Sequence, residues 1–178
     1  MRSLKIAFAA MLIALLPITA LAQDMPIDTL STIVMQPDAE GALLDLYCGP
    51  TQGFYRHGEQ TLDTGKPYAF FGQYDCWAMV AQDSAHSFGP IGWVEAGSIP
   101  DLPYEPQLAF EDGFAAMIEE PAPITDNPLA ENPFDGWTEV LAPGTQVTVL
   151  AQLGEWLYVQ TEIENTPARV FIPTNTIF

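Results

Sequence analysis

Positive charge is scarce in this sequence. Five lysines and arginines stand against 23 aspartates and glutamates over 178 residues, a formal net charge of −18. Such a chain repels phosphate backbones and anionic headgroups, so nucleic acid and membrane surfaces are poor partners. A cationic partner and plain solubility in a salty exterior account equally well for the acidity. Cysteine and histidine are as rare, with two of each. No C-x-x-C or H-x-x-x-H spacing occurs, which excludes a recognisable zinc site, and no metal or cofactor is expected. Glycine-rich phosphate loops and the Gly-x-Ser-x-Gly nucleophile turn are missing too. The segment 125–136, TDNPLAENPFDG, is rich in acidic and amide oxygens but lacks calcium-loop spacing. The acidic pairs Glu111–Asp112 and Glu119–Glu120 follow from the abundance of carboxylates alone.

Long apolar runs are confined to the start. Arg2 and Lys5 precede an apolar stretch from Ile6 to Leu16, and Ala20-Leu21-Ala22 is a small-x-small cleavage site. The stretch falls short of the roughly 20 residues that span a bilayer. Residues 1–22 therefore read as a secretory signal, with cleavage before Gln23 and no cysteine there to carry a lipid. A periplasmic or secreted protein with no membrane insertion after cleavage is expected. It keeps Arg56, Lys66 and Arg169 against all 23 acidic residues.

Long helical periodicity is also absent. In its place, residues 64–82 (TGKPYAFFGQYDCWAMVAQ) and 143–161 (PGTQVTVLAQLGEWLYVQT) share one pattern of glycine, alternating strand, short turn and tryptophan-led strand. Gly65 falls on Gly144, Tyr68 on Val147, Phe70 on Val149, Trp77 on Trp156 and Val80 on Val159. The closing strands follow with a one-residue slip, Trp93 on Phe171, Val94 on Ile172 and Ile99 on Ile177. A β-hairpin written twice, in a chain rich in turns, predicts an all-β fold of small barrels or sandwiches. Pro100, Pro103 and Pro106 mark an extended link. Residues 108–118 read either as a short helix or as the entry to the second unit, which is set to begin near Glu111. The first unit opens on the β-branched segment 29–36. Units of about 70 residues are small for independent stability.

The stretch Leu44-Asp45-Leu46-Tyr47-Cys48-Gly49-Pro50, then Gly65, Trp77 with Val80, and Gly92-Trp93-Val94 through Ile99, resembles the bacterial SH3-like (SH3b) family. The second unit is the divergent copy: ITDNP at 124–128 and Val170-Phe171-Ile172 replace the opening and closing motifs, while Trp156 and Val159 remain. The resemblance implies tandem small SH3-like β-barrels joined by a Pro-rich linker, with the signal at 1–22, domain 1 at 27–102, the linker at 103–110 and domain 2 at 111–178. It also implies a protein that binds rather than catalyses, associated with peptidoglycan or with wall-active proteins.

Within such a barrel, strand parity points Leu44, Leu46 and Cys48 to one face, and Cys76, Ala78 and Val80 to another inward face. Export to an oxidising compartment then predicts a Cys48–Cys76 disulfide. Closing its loop of about 30 residues would contribute roughly 3 kcal/mol. His57 and His86 read as solvated loop residues rather than bases that activate a thiol, so no catalytic residue is expected. Trp77, Met79 and Tyr47 oppose the inward positions, Phe54 and Tyr55 occupy the long first loop, and Trp93 lies on the closing strand. Tyr47, Phe54, Tyr55, Trp77 and Trp93 are the candidate ligand-binding residues. For Trp77 and Trp93, sealing the barrel or the interface between units is an equal reading. The expected function is a non-catalytic periplasmic or extracellular SH3-like binding module for cell-wall peptides or a periplasmic, wall-associated protein. The alternative is an inhibitor or regulator of an exported enzyme, acting through its acidic surface.

Overall fold

A computed structural model describes residues 28–36, 41–84, 87–99, 102, 107–110 and 113–177. The signal segment 1–22, His86, linker residues 103–106 and the pair Glu111–Asp112 lie outside the described residues. The fold is all-β. Its strands are β1 (Asp28–Thr29), β2 (Ile33–Met35), β3 (Leu43–Asp45), β4 (Thr61–Asp63), β5 (Tyr68–Tyr74), β6 (Trp77–Ser84) and β7 (Ser87–Glu95) in the first half. The second half holds β8 (Phe114–Met117), β9 (Ala122–Pro123), β10 (Val140–Leu141), β11 (Gln146–Leu153), β12 (Trp156–Ile163) and β13 (Thr166–Pro173). No described helix is long and apolar enough to cross a membrane.

The two halves repeat one pairing scheme. β2-β5-β6-β7 form a four-stranded sheet with β3–β4 as a separate pair. In the second half β8, β11, β12 and β13 pair in the corresponding order, and β9–β10 form the corresponding pair. Both central hairpins bulge at the same place, between Phe70 and Gly72 and between Val149 and Ala151. Both also anchor the opening stretch by a single bridge, Tyr47 to Trp93 and Thr125 to Phe171. The ladders of the described residues leave each half as separate sheets and close neither into a continuous barrel. Of the segment 108–118, Phe114–Met117 form strand β8, and none of its described residues is helical.

Local chemistry explains the turns. The β12–β13 hairpin turns at Glu164 and Asn165, both left-handed with φ of 52° and 63°. That backbone matches the right-handed twist of the flanking strands, and asparagine tolerates it well. In the first half the β5–β6 turn consists of Asp75 and Cys76, with Asp75 at φ 54°. Gly92 has a different task. A side chain there would meet Leu46 Cβ at 3.0 Å and the Tyr47 carbonyl at 3.2 Å, so its bare backbone lets the opening stretch cross β7.

Period-2 alternation divides each strand between two cores. Tyr68, Phe70, Ala78, Val80 and Val94 face the first half's own core, with Leu46 and Leu62. Val147, Val149, Leu157, Val159, Val170 and Ile172 face the second half's core. The opposite faces, Phe71, Trp77, Met79 and Trp93 from one sheet and Leu150, Tyr158 and Phe171 from the other, meet in a third buried cluster. This seam makes the sheets buried on both faces, which is why strands such as β5 are almost continuously apolar. Trp77 and Met79, expected to point outward, point into the seam. The segment 29–36 also divides. β2 pairs with β5 as expected, whereas β1 pairs in parallel with β11 of the other half, tying the halves by their backbones.

Candidate functional site

A groove of about 180 Å³ is lined by Leu44, Asp45, Tyr47, Gln52, Trp77, Val94, Glu95 and Ser98. It draws on the opening stretch, the first loop and the strands β6 and β7. A wider hollow of about 420 Å³ lies at 131–135 but is lined by one consecutive loop alone. Convergence of several elements is what fixes polar groups around a ligand, so the first is the better candidate.

Tyr47 is positioned by two backbone hydrogen bonds, its N–H donating to the Trp93 carbonyl at 3.1 Å and the Trp93 N–H donating to its carbonyl at 2.9 Å. Trp77 starts β6 opposite Glu95. The two rings meet edge to face, with centroids 5.8 Å apart and planes at 87°. Such a pair is worth about 0.5–1.5 kcal/mol beyond the area it buries, so it holds a rigid aromatic wall. Asp45 and Glu95 add two exposed carboxylates, and Arg56 Nη2 lies 2.6 Å from Asp45 Oδ1. Aromatic faces beside carboxylates attract a cation.

The other candidate residues lie elsewhere. Trp93 is wholly buried in the seam, its indole N–H donating to the Tyr158 hydroxyl at 2.7 Å. Of the two readings open for it, sealing the interface is the observed one. Trp77 combines both roles, being 6% exposed and rooted in the seam while lining the groove. Phe54 packs near Arg169, 5.5 Å from ring centroid to guanidinium. Tyr55 faces the second half, packing against its core, and its N–H donates to the Pro167 carbonyl at 2.8 Å.

The expected Cys48–Cys76 disulfide is overturned, because both cysteines are free. After Tyr47 the chain leaves the first half, and Cys48 enters the core of the second, where Arg169 N–H donates to its carbonyl. Cys76 is the second residue of the β5–β6 turn, where strand parity no longer applies, and is exposed. Burial, reinforced by the negative charge of Asp126 and opposed by the His57 backbone N–H, pushes the Cys48 thiol up to about 12.

His57, read as a solvated loop residue, is instead part of a clasp between the halves. Its Nδ1 lies 3.1 Å from Asp126 Oδ2 and its Nε2 lies 3.1 Å from the Gly136 carbonyl oxygen. The imidazole stacks on Trp137 at 3.9 Å between centroids, and the Trp137 indole N–H donates to Asp126 Oδ1 at 3.0 Å. Asp126 and Trp137 carry no sequence signal that would pair them with a histidine some 70 positions away; only the packing of the first loop onto 125–137 does so. Among the described residues, no group of three or more His, Cys, Asp or Glu side chains is placed to hold a metal ion.

The chain matches no protein family model, no curated protein and no solved structure.

Proposed function

We propose that this is an exported, non-catalytic binding protein built from two SH3-like units, the second divergent, with residues 1–22 removed as a signal and 103–110 linking the units. Its ligand site is the Tyr47–Trp77 groove. The edge-to-face pair at the meeting of the opening stretch, β6 and β7 carries this reading, because it joins rigid aromatic surface to carboxylates at 45 and 95. The ligand is a short segment bearing a positive charge, from peptidoglycan peptides or a wall-associated periplasmic protein. The absence of a catalytic role is supported by the two groups best suited to one. The Cys48 thiol is buried and held protonated, and both ring nitrogens of His57 are engaged by Asp126 and Gly136.

The acidity supports a second reading, in which the same carboxylate-edged face docks on the basic cleft of an exported enzyme as its inhibitor or regulator. Retention of the mature protein on purified peptidoglycan tests the first reading, and capture of a protein complex that dissolves in salt tests the second. In either assay folded Tyr47→Ala protein should bind about thirtyfold more weakly, the ~2 kcal/mol of an aromatic anchor, beside a stability loss of at least about 0.5–1.5 kcal/mol from the lost contact with Trp77. Unchanged binding by folded Tyr47→Ala protein would remove the groove from the proposal.

A further inference from the structure

Three basic side chains lie among the described residues, and two have carboxylate partners. Arg56 pairs with Asp45 at 2.6 Å and Lys66 with Asp63 at 3.0 Å. Arg169 has no such partner among the described residues, in a chain with 23 acidic residues to choose from. It is also 9% exposed. Its guanidinium carbon lies 5.2 Å from the ring centroids of Tyr74 and Phe110, 5.5 Å from Phe54 and 5.9 Å from Trp93. Nε donates to Gln160 Oε1 at 3.1 Å, but Nη1 is buried with no hydrogen-bond partner among the described residues. Aromatic faces stabilise the charge but do not replace the oxygen acceptor that a buried N–H requires. Among the described residues the cage offers Nη1 no acceptor.

We propose that Arg169 anchors a carboxylate ligand at the seam between the halves. The planar guanidinium matches a carboxylate in shape and charge. One cation inside a strongly acidic chain suits a monoanion better than a phosphate dianion, whose second charge would stay unbalanced. Of the four rings, Trp93 and Phe110 are buried while Phe54 and Tyr74 are half-buried, so the ligand enters between Phe54 and Tyr74. The rings supply walls for the apolar body that carries the carboxylate. Peptides offer this group in two places, the C-terminus and the side chains of Asp and Glu.

The test is a titration of the mature chain, followed by the guanidinium ¹³C and ¹⁵N resonances of Arg169 and assigned with an Arg56→Lys variant. Three probes are used: N-acetyl-alanyl-alanine, its C-terminal amide, and N-acetyl-aspartic acid α-amide. Saturable shifts with the free acid but not with its amide are expected. A response to the aspartate probe alone would assign the site to side-chain carboxylates and still support it. Arg169→Gln, provided it folds, should weaken binding at least tenfold. Equal shifts with acid and amide, or no shift with any probe at tens of millimolar, would overturn the assignment. So would a large change at Arg169 in the unliganded Glu111→Gln, Asp112→Asn variant, which would place the missing acceptor in the chain itself.

Discussion

The Trp93 indole N–H donates to the Tyr158 hydroxyl at 2.7 Å, linking β7 of one half to β12 of the other inside the buried seam. Neither group has water to turn to if the other is lost. Tyr158→Phe should therefore destabilise the protein by about 1–3 kcal/mol, the cost of leaving a buried donor unpaired. Trp93→Phe should cost more, because it also empties part of the seam. Chemical denaturation of both single variants and the double variant measures the coupling. Strict additivity would show that the hydrogen bond contributes nothing.

The clasp predicts an order of effects. Asp126 accepts from Trp137 and faces His57, and it is buried, so Asp126→Ala strips both partners at once. We expect a loss of roughly 2–4 kcal/mol. His57→Ala removes a ring that retains some exposure and should cost less, about 1–2 kcal/mol. Unfolding midpoints in urea, at constant slope, check the ranking.

Thiol chemistry separates the two cysteines. Cys76 is exposed on a turn and Cys48 is buried in the second half's core. In native protein, without reductant, one thiol should react with a maleimide reagent, and Cys76→Ser should abolish that reaction. Unfolding should release the second thiol. Protein with no reactive thiol after unfolding would restore the disulfide.

Alkaline pH should weaken the fold through Cys48 and Tyr158. Burial raises the Cys48 thiol from 9.0 to about 12, and burial raises Tyr158 above its ordinary 10.0 despite the nearby charge of Arg169. In both cases the folded state keeps a proton that the unfolded chain releases. Their stabilising effect is complete below pH 9 and is lost as pH climbs from 9 towards 12. Each group contributes a slope of ~1.4 kcal/mol per pH unit within its own window. Cys48→Ala should flatten the part that begins near pH 9, whatever its fixed cost from the lost side chain. Denaturation curves at pH 8, 9 and 10 give the slopes.

Strand content and the internal repeat were readable because both are local. Alternation along a strand and a turn residue at its end depend on near neighbours, so Tyr68 to Val80 and Val147 to Val159 declare the same hairpin despite low identity. Tyr47 and Trp77 were legible as belonging to elements that meet, and both line the groove, although Trp77 is rooted in the seam rather than turned outward. Trp93 and Met79 were not, because parity says which face a residue occupies but not what covers that face.

By itself the sequence determined the all-β class, the twice-written hairpin, the acidity and the apolar character of both faces of each central strand. Only the tertiary structure decided that the second apolar faces meet each other in a shared seam. It also carried Cys48 out of its own half, turned Cys76 to solvent, set His57 on Asp126 and surrounded Arg169 with four rings. The reason is range. Backbone pattern is written within a few residues, whereas these contacts join positions separated by dozens of residues through the packing of two sheets.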